Sequence, residues 1–308
     1  MKVYHDLPPG GLHFSRPVAT IGNFDGVHLG HRAILAGLGE RARILSSPAV
    51  ALTFDPHPLK VVRPDLNLPL LTTPEQKLLL LAEAGLDATV VLPFTPEFAQ
   101  TPAREFVTDY FAQRLKVQEV VVGYDYSFGR GREGNIALLE EMGQALGFGV
   151  QVVGPVEVEG AVVSSSLIRA VLRLGKVKEA ARLLGRPYEV VGEVIPGKGR
   201  GGKLLNVPTA NIRPDNELLP AMGIYAVWVH FDSQRHPGAA NIGIAPTFGN
   251  GAFSLEVHLL DFSGDLYGAR LGVEFVARLR EERRFASFQE LADQIQKDIS
   301  QARRVLEG

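Results

Sequence analysis

Residues 18–31 read VATIGNFDGVHLGH, and the texture changes twice within this short stretch. Val18 to Ile21 form an apolar, β-branched run, Gly22 to Gly26 a glycine-bounded turn, and His28 to His31 open a helical pattern that continues to Leu45. A strand that turns at once into a helix is one step of a parallel strand-helix chain. The step recurs. β-Branched runs at Val50 to Phe54, Thr89 to Leu92, Glu119 to Val122 and Val150 to Val153 alternate with helical patterns at Pro74 to Ala84, Pro102 to Leu115 and Asn135 to Leu146. The spacing predicts an α/β fold built on a doubly wound parallel sheet, whose ligands sit outside the carboxyl ends of the strands.

A last helical pattern, Ser166 to Leu184, stops at Gly185-Arg186-Pro187, where glycine ends a helix and proline forbids its continuation. The domain boundary is expected there, giving residues 1–184 and 185–308. Two domains also suit a 308-residue chain. Beyond the boundary the runs shorten: Tyr188 to Ile195, Gly223 to Phe231, Gly238 to Ile244, Ser254 to Leu260 and Arg270 to Leu279, separated by turn residues. They predict a small antiparallel β-barrel. Phe288, Leu291, Ile295 and Ile299 then repeat at helical spacing, predicting a terminal amphipathic helix over Ser287 to Leu306.

Composition narrows the chemistry. A formal charge of −2 supplies no global positive field, so nucleic acid is not an expected partner, although a small anion can still be held locally. Cysteine is absent, which excludes disulfides, thiolate metal sites and a cysteine nucleophile. The N-terminal residues carry no secretory signal pattern. The most apolar run, around Leu78 to Leu81, is interrupted by Glu83 and Asp87, well short of the roughly 20 residues of a membrane helix. A cytoplasmic protein with no membrane partner is expected. The sequence is compatible with a homo-oligomer.

His28 and His31 share one face of a first helical turn, beside backbone N–H groups that no earlier turn satisfies, where a phosphate would sit. An isolated His-x-x-His is more often a surface turn, and no third metal ligand accompanies this pair. A second element, Ser164-Ser165-Ser166-Leu167-Ile168-Arg169, joins hydroxyls at a helix start to an arginine one turn on, a set that can grip phosphate oxygens. Serine at such a position is also an ordinary cap. Between the two elements, Thr53-Phe54-Asp55-Pro56-His57-Pro58 and the segment Gly123 to Gly134 each follow a predicted strand.

The order of these four elements resembles the FMN adenylyltransferase domain of prokaryotic FAD synthetases, within the HxGH nucleotidyltransferases. The resemblance implies ATP contacts from Gly22, Asn23, Phe24, Asp25, His28, His31, Ser164, Ser165 and Arg169, with His28 and His31 in catalysis. It implies flavin contacts from Phe54, His57, Pro58, Asp125 and Phe128. Ser166, Tyr126 and Asn135 stand where that family pattern has threonine, phenylalanine and aspartate. In such a reaction a phosphate already anionic attacks the α-phosphorus of ATP, so positioning and charge stabilisation suffice without a general base.

In the second half, Gly197 to Lys203 fits both a dinucleotide and a phosphate-loop spacing, yet Pro208 leaves no room for a helix and Leu204 replaces the metal-binding hydroxyl. A flexible cationic glycine loop remains. Pro208-Thr209-Ala210-Asn211 follows, offering a hydroxyl and a carboxamide oxygen that suit a hard cation. In Ser254 to Asp261, strand alternation puts Leu255, Val257 and Leu259 on one face and Glu256 with His258 on the other. Glu256 can accept a hydroxyl proton if that face lines a site.

This ordered set, with Gly223 to Ala226 and Leu279 to Phe285, resembles riboflavin kinase. The two resemblances together cover nearly the whole chain and imply a bifunctional riboflavin kinase and FMN adenylyltransferase using Mg²⁺ with ATP. Riboflavin, FMN, FAD and ATP would be its ligands. They imply ATP contacts from Gly197, Lys198, Gly199, Lys203, Pro208, Thr209 and Asn211, with Thr209 and Asn211 holding the metal. Glu256 would be the base, and Arg280 would lie in a loop closing on flavin. Two alternatives stand beside this reading. One is a single-activity HxGH adenylyltransferase acting on a nicotinamide or pantetheine phosphate, with a regulatory C-terminal module. The other is a non-catalytic flavin- or RNA-binding regulator, which the acidic charge and the intact polar set disfavour.

Overall fold

The computed structural model describes residues 1–308 except 9, 11–13, 15, 197–207 and 245–252. The glycine-loop residues Gly197, Lys198, Gly199 and Lys203 therefore lie outside the described residues. By packing, the chain divides into two compact units, Met1–Val163 and Ser164–Gly308.

The first unit is a six-stranded parallel sheet: β1 (Lys2–His5), β2 (Val18–Ile21), β3 (Ala49–Asp55), β4 (Ala88–Pro93), β5 (Glu119–Gly123) and β6 (Gly149–Val153), in the order β1-β4-β3-β2-β5-β6. All neighbours pair in parallel. Every residue of β2 is buried, as a parallel strand covered on both faces requires. Ala19, Ile21, Val50, Leu52, Val120 and Val122 point to one core, and Val18, Ala49, Ala51 and Val121 to the other. The second core is completed by Leu35, Leu38 and Ala42 of α1 (Leu29–Ile44). Glu119 of β5 takes both Nε and Nη2 of Arg41 at 2.7 Å, fastening α1 to the sheet.

Chain order runs β2, β3, β4 to one side and β5, β6 to the other. The winding thus reverses between β2 and β5, and the loops after these strands flank the crevice where such sheets bind ligands. The remaining helices are α2 (Pro58–Val62), α3 (Pro74–Glu83), α4 (Ala103–Phe106) and α5 (Ile136–Leu146), and α4 runs on into a π-helical turn over Val107–Arg114. Two short strands, β7 (Glu157–Val158) and β8 (Ala161–Val162), form a hairpin.

The second unit opens with α6 (Ser165–Arg173) and α7 (Val177–Leu184). Where the sequence pattern predicts one helix, Gly175 at φ 72° ends the first and starts a turn. A side chain there would also strike Tyr225 Oη and Arg278 Cδ, each 2.9 Å from the Cβ position. By contact this helix pair groups with the barrel, as α7 packs against two of its strands. The barrel consists of β9 (Tyr188–Ile195), β10 (Ala210–Pro214), β11 (Gly223–Phe231), β12 (Gln234–Ile244), β13 (Phe253–Leu259) and β14 (Arg270–Arg280), closed in the order β10-β13-β12-β11-β14-β9. Its interior holds Val190, Ile212, Tyr225, Val227, Leu255, Val257, Val273 and Phe275, all buried. Helix α8 (Phe288–Glu307) lies on its outer wall through Leu291, Ile295, Ile299 and buried Ala302. Phe288, expected in that stripe, stays half exposed.

Two glycines separate these effects. Gly175→Ala forces a left-handed alanine into a filled site and is expected to destabilise by more than about 1 kcal/mol. Gly39→Ala, within α1 and with nothing near its Cβ position, is expected to stabilise by about 0.5–1 kcal/mol. Urea denaturation of the two variants checks both signs.

Candidate active sites

The turn after β2 is backbone-strained. Phe24 and Val27 sit at φ 50° and 37°, with Gly26 at 82° between them. A β-branched residue there costs on the order of 1–3 kcal/mol and persists only where packing enforces it. Here Phe24 and Val27 are both buried in the core beneath α1. The turn delivers His28 to the helix start, where its Nδ1 accepts the His31 N–H at 3.3 Å. With Nδ1 accepting, the neutral His28 ring carries its proton on Nε2, the form that donates to a phosphate oxygen.

His31 stacks on His28 with centroids 3.7 Å apart and meets the edge of Phe24 at 5.3 Å. Its Nδ1 is sealed from solvent and has no hydrogen-bond partner among the described residues. Burial first, and His28 second, hold its imidazole well below the usual histidine range, so the ring is neutral at pH 7.

Beside this turn a small cleft brings Asn23 and Asp25 together with Phe54 and His57 of the β3 loop. The ATP-side and flavin-side expectations thus meet on one surface. Asp25 is buried and accepts the N–H groups of Leu71 (2.9 Å) and Thr72 (3.3 Å), which makes it the anchor of the segment leading into α3. His57 Nδ1 accepts the Leu59 N–H at 3.1 Å and so caps α2, with Pro58 in the first turn. After β5, Asp125 is exposed, while Phe128 is buried against Tyr126, Phe106 and Gly134. The ring of Phe128 is a core element here. Tyr126, which stands where the family pattern has phenylalanine, carries a buried hydroxyl with no partner among the described residues, and burial pushes its ionisation far up.

In the second unit, Ser164 caps α6 by accepting the Leu167 N–H at 3.2 Å, Ser165 is its first residue, and Arg169 is buried one turn on. A cavity of about 320 Å³ lies between the outer wall of the barrel and α8, lined by Thr209, Asn241, Glu256, His258 and Arg280 among others. Ile224, Phe285, Leu291 and Ile295 supply apolar walls. Glu256 stands in register with Asn211 of β10 on one side and Asn241 of β12 on the other. Burial, then the like charge of Glu282, raises its carboxyl above the usual glutamate range. Arg280 is engaged: its guanidinium makes a forked pair with Asp298 of α8 at 2.7–3.1 Å and lies over Phe285. It therefore fastens α8 to the rim of the cavity.

Residues 13–167 match the FAD synthetase family model and residues 184–306 the riboflavin kinase model. A Pseudomonas fluorescens protein named bifunctional riboflavin kinase/FMN adenylyltransferase is 42% identical, over 95% of this chain and 96% of its own length. This chain belongs to the bifunctional riboflavin kinase/FMN adenylyltransferase family. Relatives of the same name from Escherichia coli K12 and Bacillus subtilis 168 are 39% and 34% identical. They cover 93% and 99% of this chain, and 91% and 98% of their own lengths. A crystal structure from Streptococcus pneumoniae, described as a macrolide-efflux protein, is 30% identical with a TM-score of 0.89, over 98% of this chain and 99% of that one. Among the described residues here, no helix is long and apolar enough to cross a membrane.

Three further side chains at these sites are not singled out by the sequence pattern. Lys77 lines the cleft beside Asp25 and His57 and donates to Thr53 Oγ1 (3.2 Å) and the Phe54 carbonyl (3.1 Å). Burial lowers its pKa against the opposing pull of Asp55 and Asp25. Asn241 places an Oδ1 that is buried and unpartnered among the described residues on the wall of the cavity beneath α8. Asp298 was legible in principle, as a carboxylate on the apolar stripe of α8.

Two outcomes are expected. In an NMR pH titration of the ligand-free protein, His31 titrates well below the usual histidine range, and His28→Ala moves it upward; titration of His31 within or above that range contradicts burial of its ring as the cause. Asp298→Ala strands a partly buried guanidinium and lowers unfolding stability by roughly 2–4 kcal/mol, read by urea denaturation.

Proposed function

We propose that this chain makes FAD from riboflavin in two steps, each using one ATP. Residues 185–308 phosphorylate the riboflavin 5′-hydroxyl, and residues 1–184 transfer AMP from a second ATP to the FMN so formed. The observation that carries the reading is Glu256: a partly buried carboxylate with a raised pKa, on the wall of a largely apolar cavity, between two in-register asparagines. An apolar chamber suits a flavin ring, and a base of raised pKa suits removal of an alcohol proton.

In the kinase step Glu256 takes the 5′-hydroxyl proton as that oxygen attacks the γ-phosphorus of ATP. The bond from the γ-phosphorus to the bridging oxygen breaks, and ADP leaves. Thr209 and Asn211 offer the hydroxyl and carboxamide oxygens that magnesium favours, and magnesium, when bound, supplies charge neutralisation of the phosphates. Gly197, Lys198, Gly199, Lys203 and Pro208 are assigned to ATP by the resemblance of their sequence to riboflavin kinase. Arg280, held by Asp298, shapes the flavin side.

In the adenylyl step an FMN phosphate oxygen attacks the α-phosphorus of ATP and pyrophosphate leaves. No base is required; His28 donates from Nε2, with the neutral ring of His31 stacked against it. Gly22 and Asn23 serve the nucleotide side, with Phe24 buried in the core beneath them, and Ser164, Ser165 and Arg169 are assigned to ATP phosphates as well. Phe54, His57, Pro58, Asp125 and Phe128 serve the flavin side, His57 directly and Phe128 from beneath. The setting is cytoplasmic, with flavins and ATP as partners.

Chromatographic separation of flavins after incubation with riboflavin, ATP and Mg²⁺ tests both assignments. Wild type accumulates FAD, Glu256→Ala leaves riboflavin unchanged, and the His28→Ala/His31→Ala variant stops at FMN. FAD formed by the Glu256 variant contradicts the kinase assignment, and FAD formed by the double-histidine variant contradicts the adenylyltransferase assignment.

A further inference from the structure

The pairing of β10 with β13 ends at Ala210, which faces Val257. Continued by one residue, it would set Thr209 opposite His258, but Pro208 has no N–H to donate and the segment leaves the sheet there. The departing segment is held by a side chain instead: His258 Nδ1 lies 2.7 Å from the Pro208 carbonyl oxygen. A carbonyl only accepts, so Nδ1 carries the proton, and the bond survives whether or not Nε2 is protonated. His258 and Thr209 both line the kinase cavity, and His258 shares its strand face with Glu256. Thr209 itself is exposed, outside the ladder.

We infer that His258 is a positioning residue of the kinase site: its Nδ1–H holds the Pro208 carbonyl and thereby fixes the Thr209 hydroxyl where it meets the phosphates of ATP and their cation. The inference rests on the kinase reading given above. His258 touches no reacting atom in this scheme. Its contribution is to replace the missing backbone pair at the point where the nucleotide-side segment peels away from the strand bearing Glu256. Loss of a single hydrogen bond of this kind loosens Thr209 without disturbing the buried faces of β13, since Leu255, Val257 and Leu259 point into the barrel.

The two side-chain amides distinguish this role from simple packing. Asparagine places an N–H near the position of histidine Nδ1, whereas glutamine places one near Nε2. Steady-state kinetics of the riboflavin-to-FMN step on the full chain, with flavin fluorescence titration of riboflavin in the absence of ATP, form the test. His258→Ala and His258→Gln are expected to raise KM for MgATP by roughly three- to tenfold, the loss of one hydrogen bond. His258→Asn is expected to stay within about threefold of wild type by the same arithmetic. Riboflavin affinity is expected to change less than KM for MgATP in all three. The inference is overturned if His258→Ala leaves KM for MgATP unaltered, if His258→Asn is as impaired as His258→Ala, or if riboflavin binding falls in parallel with ATP use. Absence of FMN formation by the wild type would instead remove the kinase reading on which it rests.

Discussion

A parallel sheet covered on both faces has no water within reach of its backbone, so each N–H and C=O along β2 must be paired by β3 and β5. Unpaired donors are admissible only where the strand ends. That constraint places the chemistry of the first unit. The chain leaves Ile21, turns through residues with positive φ, and presents the open N-terminus of α1 at the point where the winding of the sheet reverses. His28 satisfies one of those N–H groups through Nδ1 and in doing so fixes which nitrogen faces outward. The local strain and the cap belong to one device, and the packing of Phe24 and Val27 under α1 holds it in place.

The barrel solves a related problem differently. Closing β9 onto β10 removes the sheet edges, and the inward-facing residues that fill the barrel are apolar or aromatic, which leaves its charged side chains on the outer wall. There α8 roofs a cavity, anchored by the Arg280–Asp298 pair. Strand alternation sends Glu256 outward because Leu255 and Val257 are needed within. The carboxylate is consequently half enclosed by α8 and the rim, which raises its pKa without burying it in the core.

Much of this was legible in the sequence. Period-two and helical patterns located five of the six parallel strands and five of the six barrel strands to within a few residues, because each strand must bury a face. Missing were β1, which is mostly exposed, and β10, where Pro208 to Asn211 reads as a motif rather than as a strand. The split of one predicted helix at Gly175 depends on the approach of Tyr225 and Arg278, which are distant in sequence. The same limit applies at the sites. His28, His31 and Glu256 stand out by local spacing. The anchoring role of Asp25, the engagement of Arg280 by Asp298, and the contributions of Lys77 and Asn241 are long-range facts that only tertiary packing creates.

One chain that makes FAD from riboflavin consumes two ATP molecules by two different bond cleavages. Quantifying ADP and pyrophosphate alongside flavins, with riboflavin as the only flavin supplied, tests it most directly. One ADP and one pyrophosphate are expected for each FAD formed, with ADP release keeping pace with FMN formation. FAD appearing without equivalent ADP, or ADP accumulating with FMN while no pyrophosphate is released, would contradict it.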